Sequence, residues 1–224
     1  MNESVFLIGI TQPNEVETGC STAEELIAYA ARVSNPSNQA NIETAPKLLK
    51  YLATNQHWSP FEMVHMVLEI NTTRDIARQI LRHRSFSFQE FSQRYARADD
   101  LGFVTREARL QDTKNRQNSI EVNDLELDKV WESLQTDVII AAKKAYSSAL
   151  AMGIAKEQAR AVLPEGITKS RLYMSGSIRS WIHYILLRRS NGTQKEHRDI
   201  AIKCQDILLG QFPSLTYLFS NETS

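Results

Sequence analysis

RHRSFSFQEFSQR, Arg82 to Arg94, packs guanidinium, imidazole, hydroxyl and carboxylate groups into thirteen residues without a glycine or proline. Such a stretch is suited to holding something anionic and polar. Around it, residues 74–97 carry six arginines (Arg74, Arg78, Arg82, Arg84, Arg94, Arg97) against Asp75 and Glu90, so six minus two leaves a local charge of +4, with no lysine. Arginine's planar fork of donors fits phosphate oxygens two at a time, whereas lysine is a mobile point charge. On charge alone, a surface helix laced with ion pairs is an equal reading. Ser85, Ser87 and Ser92, interleaved with Glu90, add the small donors and acceptors that a ribose or nucleobase requires, and this favours a nucleotide.

Upstream of the stretch, Val5 to Ile10 reads as a buried strand, and Thr22 to Val33 as a helix opened by Ser21 or Thr22 with Glu24 and Glu25 in its first turn. A second helix is predicted over Ala45 to Thr54. Val64, Met66, Leu68 and Ile70 alternate with more polar neighbours, the period of a half-buried strand. Thr72 or Thr73 then caps a helix on which Arg74, Arg78 and Arg82 fall on one face, so the arginine stretch begins on a helix and leaves it as a loop. Residues 105–126 are polar and aperiodic, a long connection that orders around a ligand or partner. From Leu127, Val130, Leu134, Val138, Ala141, Ala145, Ala149 and Met152 recur at three or four, a long helix stopped by Gly153. Another helix ends before Pro164, and two more, near Ile178 to Arg188 and Lys195 to Leu209, close the chain.

With 224 residues, 42% of them hydrophobic, the chain can bury a core, and with neither repeat nor linker it reads as a single domain over 1–224. Equal counts of acid and base, 26 each, argue against a nucleic-acid coat or an anionic membrane as partner. No apolar run is long enough to cross a bilayer, and the first ten residues lack a signal pattern, so the expected setting is the cytoplasm, of a cellular or a viral source. Cys20 and Cys204 are too isolated for a disulfide framework or a metal site, and no metal is expected. None of the eight glycines falls in a dinucleotide- or phosphate-loop motif, so a dinucleotide here is not held in the Rossmann manner.

The order Arg82-His83-Arg84, Ser87, Glu90, Ser92, Arg94 resembles the signature of the flavin-dependent thymidylate synthases, with Gln89 where that family more often has Asn. The resemblance extends across roughly residues 20–200. His57-Trp58-Ser59-Pro60-Phe61-Glu62 resembles a family segment that touches flavin, although Met63 stands where relatives often have His. Ala159-Arg160-Ala161-Val162-Leu163-Pro164 resembles a family segment whose arginine belongs to the nucleotide site. Ser177 to Arg188 resembles its Arg-x-x-x-His-x-x-x-x-Arg helix. Gln194 and Glu196 match a Gln-x-Glu pattern, while Asn191-Gly192-Thr193 departs from the family's Ser-His-Ala.

This resemblance implies an α+β fold, an antiparallel sheet flanked by helices, and a reaction: reductive methylation of dUMP to dTMP, with methylenetetrahydrofolate as carbon donor, FAD relaying a hydride and NADPH reducing it. It implies that Arg188 is the catalytic group, acting on the pyrimidine. For the flavin it implies His57, Ser59, Arg82, His83, Arg84 and Ser87, together with Glu90, Ser177, Ile178, Arg179 and His183. For the nucleotide it implies Gln79, Ile80, Leu81, Arg82 and Glu90, then Phe91, Ser92, Gln93, Arg94, Arg160 and Arg188.

Arg179 and His183 share a helix face, but Arg188 lies about 900° around the helix from Arg179, on the opposite side. The homotetramer with sites shared between subunits that the resemblance implies reconciles this, and a fraying helix end at Arg188 does so equally. A non-catalytic nucleotide- or RNA-binding module using the arginine face is the other functional class. It needs exposed aromatics, and Phe86, Phe88 and Phe91 alternate too irregularly to serve as a stacking platform. Among nucleophiles only Cys20, before a helix start, is credible, and Glu24 and Glu25 nearby oppose its ionisation.

Overall fold

The structure, a computed structural model, describes residues 3–220. In chain order the elements are β1 (Ser4–Ile10), α1 (Glu15–Thr18), α2 (Ala23–Ala31), α3 (Ala45–Thr54), β2 (His65–Thr73), α4 (Arg74–Ile80) and β3 (Ser87–Glu90). They continue with β4 (Arg109–Gln111), β5 (Ser119–Glu121), α5 (Leu125–Ala151), α6 (Lys156–Ala159), β6 (Lys169–Ser177), α7 (Ile178–Arg188) and α8 (Lys195–Gln211). A four-stranded sheet of order β1-β2-β6-β3 is antiparallel throughout, which makes the fold α+β as expected.

One face of this sheet is the floor of the core. In β2, Met66, Leu68 and Ile70 are buried, and in β6, Leu172 and Met174 meet them. Ile27 and Leu49 from α2 and α3, Trp181, Ile182 and Ile185 from α7, and Ile200, Cys204 and Leu208 from α8 close over that floor. The other face carries Phe6, Ile8 and Tyr173 exposed.

Local chemistry accounts for the helix ends. Thr22 and Glu25 form a reciprocal capping box on α2 (Glu25 N to Thr22 Oγ1 3.2 Å, Thr22 N to Glu25 Oε2 3.1 Å). Asp124 accepts from the amides of Glu126 and Leu127 to open α5, and Gly153, at φ +81°, follows its end where a side chain would be strained.

Four expectations change. The helix carrying Arg74 and Arg78 stops at Ile80, so Arg82 sits in a tight turn, with Arg82 N to Gln79 O at 3.4 Å and His83 N to Ile80 O at 3.0 Å. Beyond it the stretch is not a loop: Ser87 to Glu90 pairs with β6 as an edge strand. Residues 105–126 also hold structure of their own, the β4-β5 hairpin. The long helix forms as expected, yet its apolar stripe points outward. Val130, Leu134 and Val138 are exposed, and the buried residues are Gln135, Ala142, Tyr146 and Ala149.

The turn at 81–86 is pinned by Phe86. Its ring lies across β6 at Gly176, where a Cβ would come within 2.4 Å of Phe86 Cδ1. It stands edge-on to Trp181 at 4.8 Å between centroids, and 5.9 Å from Tyr184. Trp181 is fastened in turn by Nε1 donating to Met66 O at 3.0 Å. Gly176→Ala therefore forces the ring aside, and overpacking of this kind costs about 1–3 kcal/mol. The expected drop in melting temperature is roughly 3–10 °C, measured by calorimetry, and shrinking the ring in a Gly176→Ala, Phe86→Leu double variant should recover part of it.

Candidate functional site

Helix α7 organises the predicted residues, because its two ends face different parts of the chain. At its start, the Ser177 hydroxyl caps the helix by accepting from Ser180 N at 3.3 Å. Arg179 Nη1 donates to Glu62 Oε1 at 2.8 Å. Glu62 belongs to the turn Ser59–Glu62, so the His57–Glu62 segment is drawn onto the first turns of α7. The Ser177 hydroxyl, ahead of the Arg179 guanidinium, holds the Glu62 carboxyl below its usual range. Trp58 stands edge-on to His183 at 4.8 Å. Burial, reinforced by Arg179, lowers the His183 pKa. His57 is exposed and packs edge-on to Tyr51, and Ser59 is exposed at the start of the turn. Ser180 Oγ also donates to Ser85 O at 3.3 Å, tying this end of α7 to the arginine stretch.

The far end of α7 meets His83. Arg188 Nε donates to His83 Nε2 at 2.9 Å, and the His83 ring stands edge-on to Tyr184 at 4.9 Å. The helix is regular through Arg188, with Arg189 N bonded to Ile185 O at 2.9 Å, so it does not fray to bring Arg188 round. Burial first, then the charges of Arg188 and Arg82, push the His83 pKa down to about 4, so its ring is neutral and Nε2 offers a lone pair to the guanidinium. Gln79, on α4, joins this end by bonding Gln194 and His197 of α8.

A third group lies along the end of the signature. Glu90 accepts from Ser170 Oγ at 2.7 Å and lies 3.4 Å from Arg74 Nη1. Ser92 and Arg94 line an open cavity of about 520 Å³ with Tyr95, Lys156 and Glu157. Arg94 is 3.7 Å from Glu157 Oε2, and Arg160 Nε donates to Glu157 O at 3.3 Å, so the two predicted nucleotide arginines share one acidic neighbour. Among the described residues no direct contact joins Arg94 or Arg160 to Arg188 or Arg179. Arg82 and Arg84 are exposed and carry no ion pair among the described residues, whereas Arg78 pairs with Glu165. Ile80, Ile178 and Gln93 are buried, and Ile178 N is already bonded to Val64 O at 2.9 Å, so these three are not open to a ligand; Leu81 and Phe91 are half-buried, and Ser87 faces outward on β3.

Sequence reasoning missed Tyr184 and His197, both fully buried at this site. A signal existed for the histidine: His197, Ile200, Ala201, Cys204 and Leu208 repeat at helical spacing on the core face of α8. Cys20 and Cys204 are buried, and burial raises both thiols, so neither presents a thiolate. Among the described residues no three His, Cys, Asp or Glu side chains are grouped to hold a metal, and no helix is long and apolar enough to cross a membrane.

A family model described as thymidylate synthase complementing protein matches residues 16–214. A probable flavin-dependent thymidylate synthase of Paramecium bursaria Chlorella virus 1 is 52% identical over 212 residues, covering 95% of this chain and 96% of that protein. A flavin-dependent thymidylate synthase of Synechocystis is 51% identical over 212 residues, covering 94% and 96%. The crystal structure of the UMP/dUMP methylase PolB from Streptomyces cacaoi, bound with 5-Br dUMP, matches 98% of this chain and 95% of its own with a TM-score of 0.81 at 25% identity.

The half-buried His83 and the buried His197 also set a pH dependence. Burial, then Arg188 and His83, lower the His197 pKa to about 3, and His83 stands at about 4. Below the ordinary histidine value of about 6.5 the unfolded chain takes up protons that the folded chain refuses, so stability is present above that value and is lost as pH falls. Each such proton is worth about 1.4 kcal/mol per pH unit. Urea unfolding between pH 7 and pH 4 should therefore show a slope shallower by about one proton in His83→Asn than in the natural chain; equal slopes would show that His83 titrates normally.

Proposed function

The chain belongs to the flavin-dependent thymidylate synthase family, and on that premise we propose that it methylates dUMP reductively to dTMP, with carbon from methylenetetrahydrofolate and reducing equivalents from NADPH passed through FAD. A methyltransferase of this kind needs two adjoining sites, one for a dinucleotide and one for a nucleotide. The observation that carries the reading is the pairing at the two ends of α7, Arg179 with Glu62 at the start and Arg188 with His83 at the end.

The donor set fits FAD. A dinucleotide brings a pyrophosphate and a ring edge of nitrogens and oxygens. The unpaired guanidiniums of Arg82 and Arg84 suit the first, while Ser177, Arg179, His183 and His83 suit the second. His57, Ser59, Ser87 and Glu90 complete the assignment, while Ile178 supports it from the core. Bound flavin supplies the hydride that completes the methyl group. Everything else falls to this chain's own side chains.

For the nucleotide, Arg94, Arg160 and Ser92 form a phosphate-binding set, with Gln79, Arg82, Glu90 and the half-buried Leu81 and Phe91 around the sugar and base, and Ile80 and Gln93 packed beneath them. Carbon 5 of uracil has to become nucleophilic. A guanidinium against the pyrimidine carbonyl and ring nitrogen stabilises the negative charge that accumulates there, without a covalent adduct. Arg188 is suited to this, because neutral His83 takes its Nε–H and so fixes the plane of the guanidinium, leaving its terminal amino groups for the substrate. The RNA-binding alternative has lost its platform, since Phe86 is buried and Phe88 packs on the core.

Arg94 and Arg160 have no contact with Arg188 among the described residues of one chain. The exposed Val130–Leu134–Val138 stripe of α5 is a surface for a further subunit to cover. Both support a homotetramer with shared sites. A reaction that draws on NADPH and folate belongs in the cytoplasm.

Arg188→Ala should reduce dTMP formation by about 10²–10³-fold while leaving the yellow flavin spectrum of the purified protein intact; near-natural turnover would remove Arg188 from the chemistry. Sedimentation should give a species near four times 25.5 kDa. Mixing inactive Arg94→Ala and Arg188→Ala proteins should then restore part of the activity, since a shared site can draw its two arginines from two intact halves. A fully active monomer would rule sharing out.

A further inference from the structure

Gln194 and Glu196, which match a sequence pattern to which no role has been given above, are joined to the nucleotide site by a run of hydrogen bonds with one direction. It starts at Glu196. This carboxylate is paired with Arg109 and lies 4.0 Å from Arg106 Nε, and a carboxylate so held only accepts. Gln194 therefore turns its amino group to it, Nε2 to Glu196 Oε2 at 2.9 Å. That leaves Gln194 Oε1 to accept from Gln79 Nε2 at 2.8 Å. Gln79 Oε1 is then the acceptor for His197 Nδ1 at 3.3 Å, which places the proton of the neutral ring on Nδ1. His197 Nε2 is left with a lone pair, and it meets the Tyr184 hydroxyl at 3.1 Å. Tyr184 is fully buried, and burial holds its phenol well above the ordinary value, so its proton is available to donate.

Each amide in this run has only one orientation that satisfies both neighbours. The run is anchored away from the site as well: Arg106 Nη2 donates to Thr73 Oγ1 and to Asp75 Oδ1, each at 2.8 Å, at the start of the helix that carries Gln79. It also adjoins the catalytic arginine, since the Tyr184 ring walls His83, the partner of Arg188.

We propose that His197 is a positioning residue: with Gln194 and Glu196 it holds the Gln79 carboxamide in a single orientation for recognition of the pyrimidine nucleotide. Without the run, the Gln79 amide could turn over and offer its nitrogen where its oxygen belongs. A site built to match a donor to an acceptor loses affinity when a buried polar group faces the wrong way. The proposal rests on the assignment of dUMP to this site.

The test uses the full-length, flavin-loaded protein, with dUMP affinity measured by calorimetry and turnover measured at saturating dUMP. Asn at 197 carries an amide nitrogen near the place of Nδ1 and can still donate to Gln79. Gln at 197 reaches the place of Nε2 and serves Tyr184 instead. His197→Asn should keep dUMP affinity within about threefold, while His197→Gln and His197→Leu weaken it about tenfold or more, the effect of one lost or misdirected hydrogen bond. Turnover at saturation should change by less than about threefold in all of them. Gln194→Ala, at the half-buried other side of Gln79, should weaken dUMP binding similarly, and it decides the matter if the buried substitutions fail to fold. Equal weakening by Asn, Gln and Leu would mean that position 197 only fills space, and unchanged affinity in Gln194→Ala would overturn the proposal. Absence of dUMP binding in the natural protein would instead overturn the nucleotide assignment, and this inference with it.

Discussion

The seating of Phe86 over Gly176 is the contact on which the rest of the molecule depends. A ring laid across β6 is possible only where that strand has no side chain, and Gly176 provides the gap. Once the ring is wedged between Trp181 and Tyr184, the chain on either side of it has little freedom. Behind it, the turn at 81–85 brings His83 under the end of α7 and sets Ser85 O where Ser180 can bond it. Ahead of it, Ser87 to Glu90 falls into register as the edge strand and carries Glu90 to Ser170. A packing contact thus places polar groups that have no bond to it.

Helix α7 is the second shared part, and it works because β6 runs into it without a loop. Ser177 is the last residue of the strand and the cap of the helix. The antiparallel register of β2 with β6 pairs His65 with Ser177, three residues beyond Glu62, so the turn that bears Glu62 is delivered beside Arg179 by sheet geometry. The helix then holds one arginine near its start, on Glu62, and one at its last residue, on His83. Trp181, Ile182 and Ile185 form the buried face between them, and at the far end burial of His83, then the charges of Arg188 and Arg82, keep that ring neutral.

The arginines illustrate how far charge pattern alone can be read. In sequence, Arg74, Arg78, Arg82 and Arg84 form one basic run. Folding divides it: Arg74 is engaged with Glu90 and Arg78 with Glu165, acidic residues 16 and 87 positions away. Arg82 and Arg84 are exposed with no ion pair among the described residues. The net charge of +4 over residues 74–97, which already counts Glu90, still overstates what a ligand meets, since Arg78 and Arg94 lie against Glu165 and Glu157, acids outside that segment. The helix itself ends two residues before Arg82 because Phe86 draws the chain down into the core.

What the sequence by itself determined are features that depend on neighbours along the chain. The cap at Thr22, the stop at Gly153, the alternation in β2, and the helices near Ala45, Leu127, Ile178 and Lys195 follow from residue patterns a few positions apart, while the cap at Asp124 emerged with the structure. The ordered signature Arg82 to Arg94 likewise identified the family. Tertiary structure alone decided the strands and partnerships that rest on distant groups. β3 is a strand only because β6 offers its edge, and β6 itself was unreadable because Ser170 and Gly176 at its inward positions blur the alternation that Leu172 and Met174 carry. His197, an apparent helix residue, became part of the site through Tyr184 and through Gln79, 118 residues away. Burial accounts for that last step. A polar group removed from water has to find its partner wherever the fold has put one, and sequence spacing carries no record of where that is.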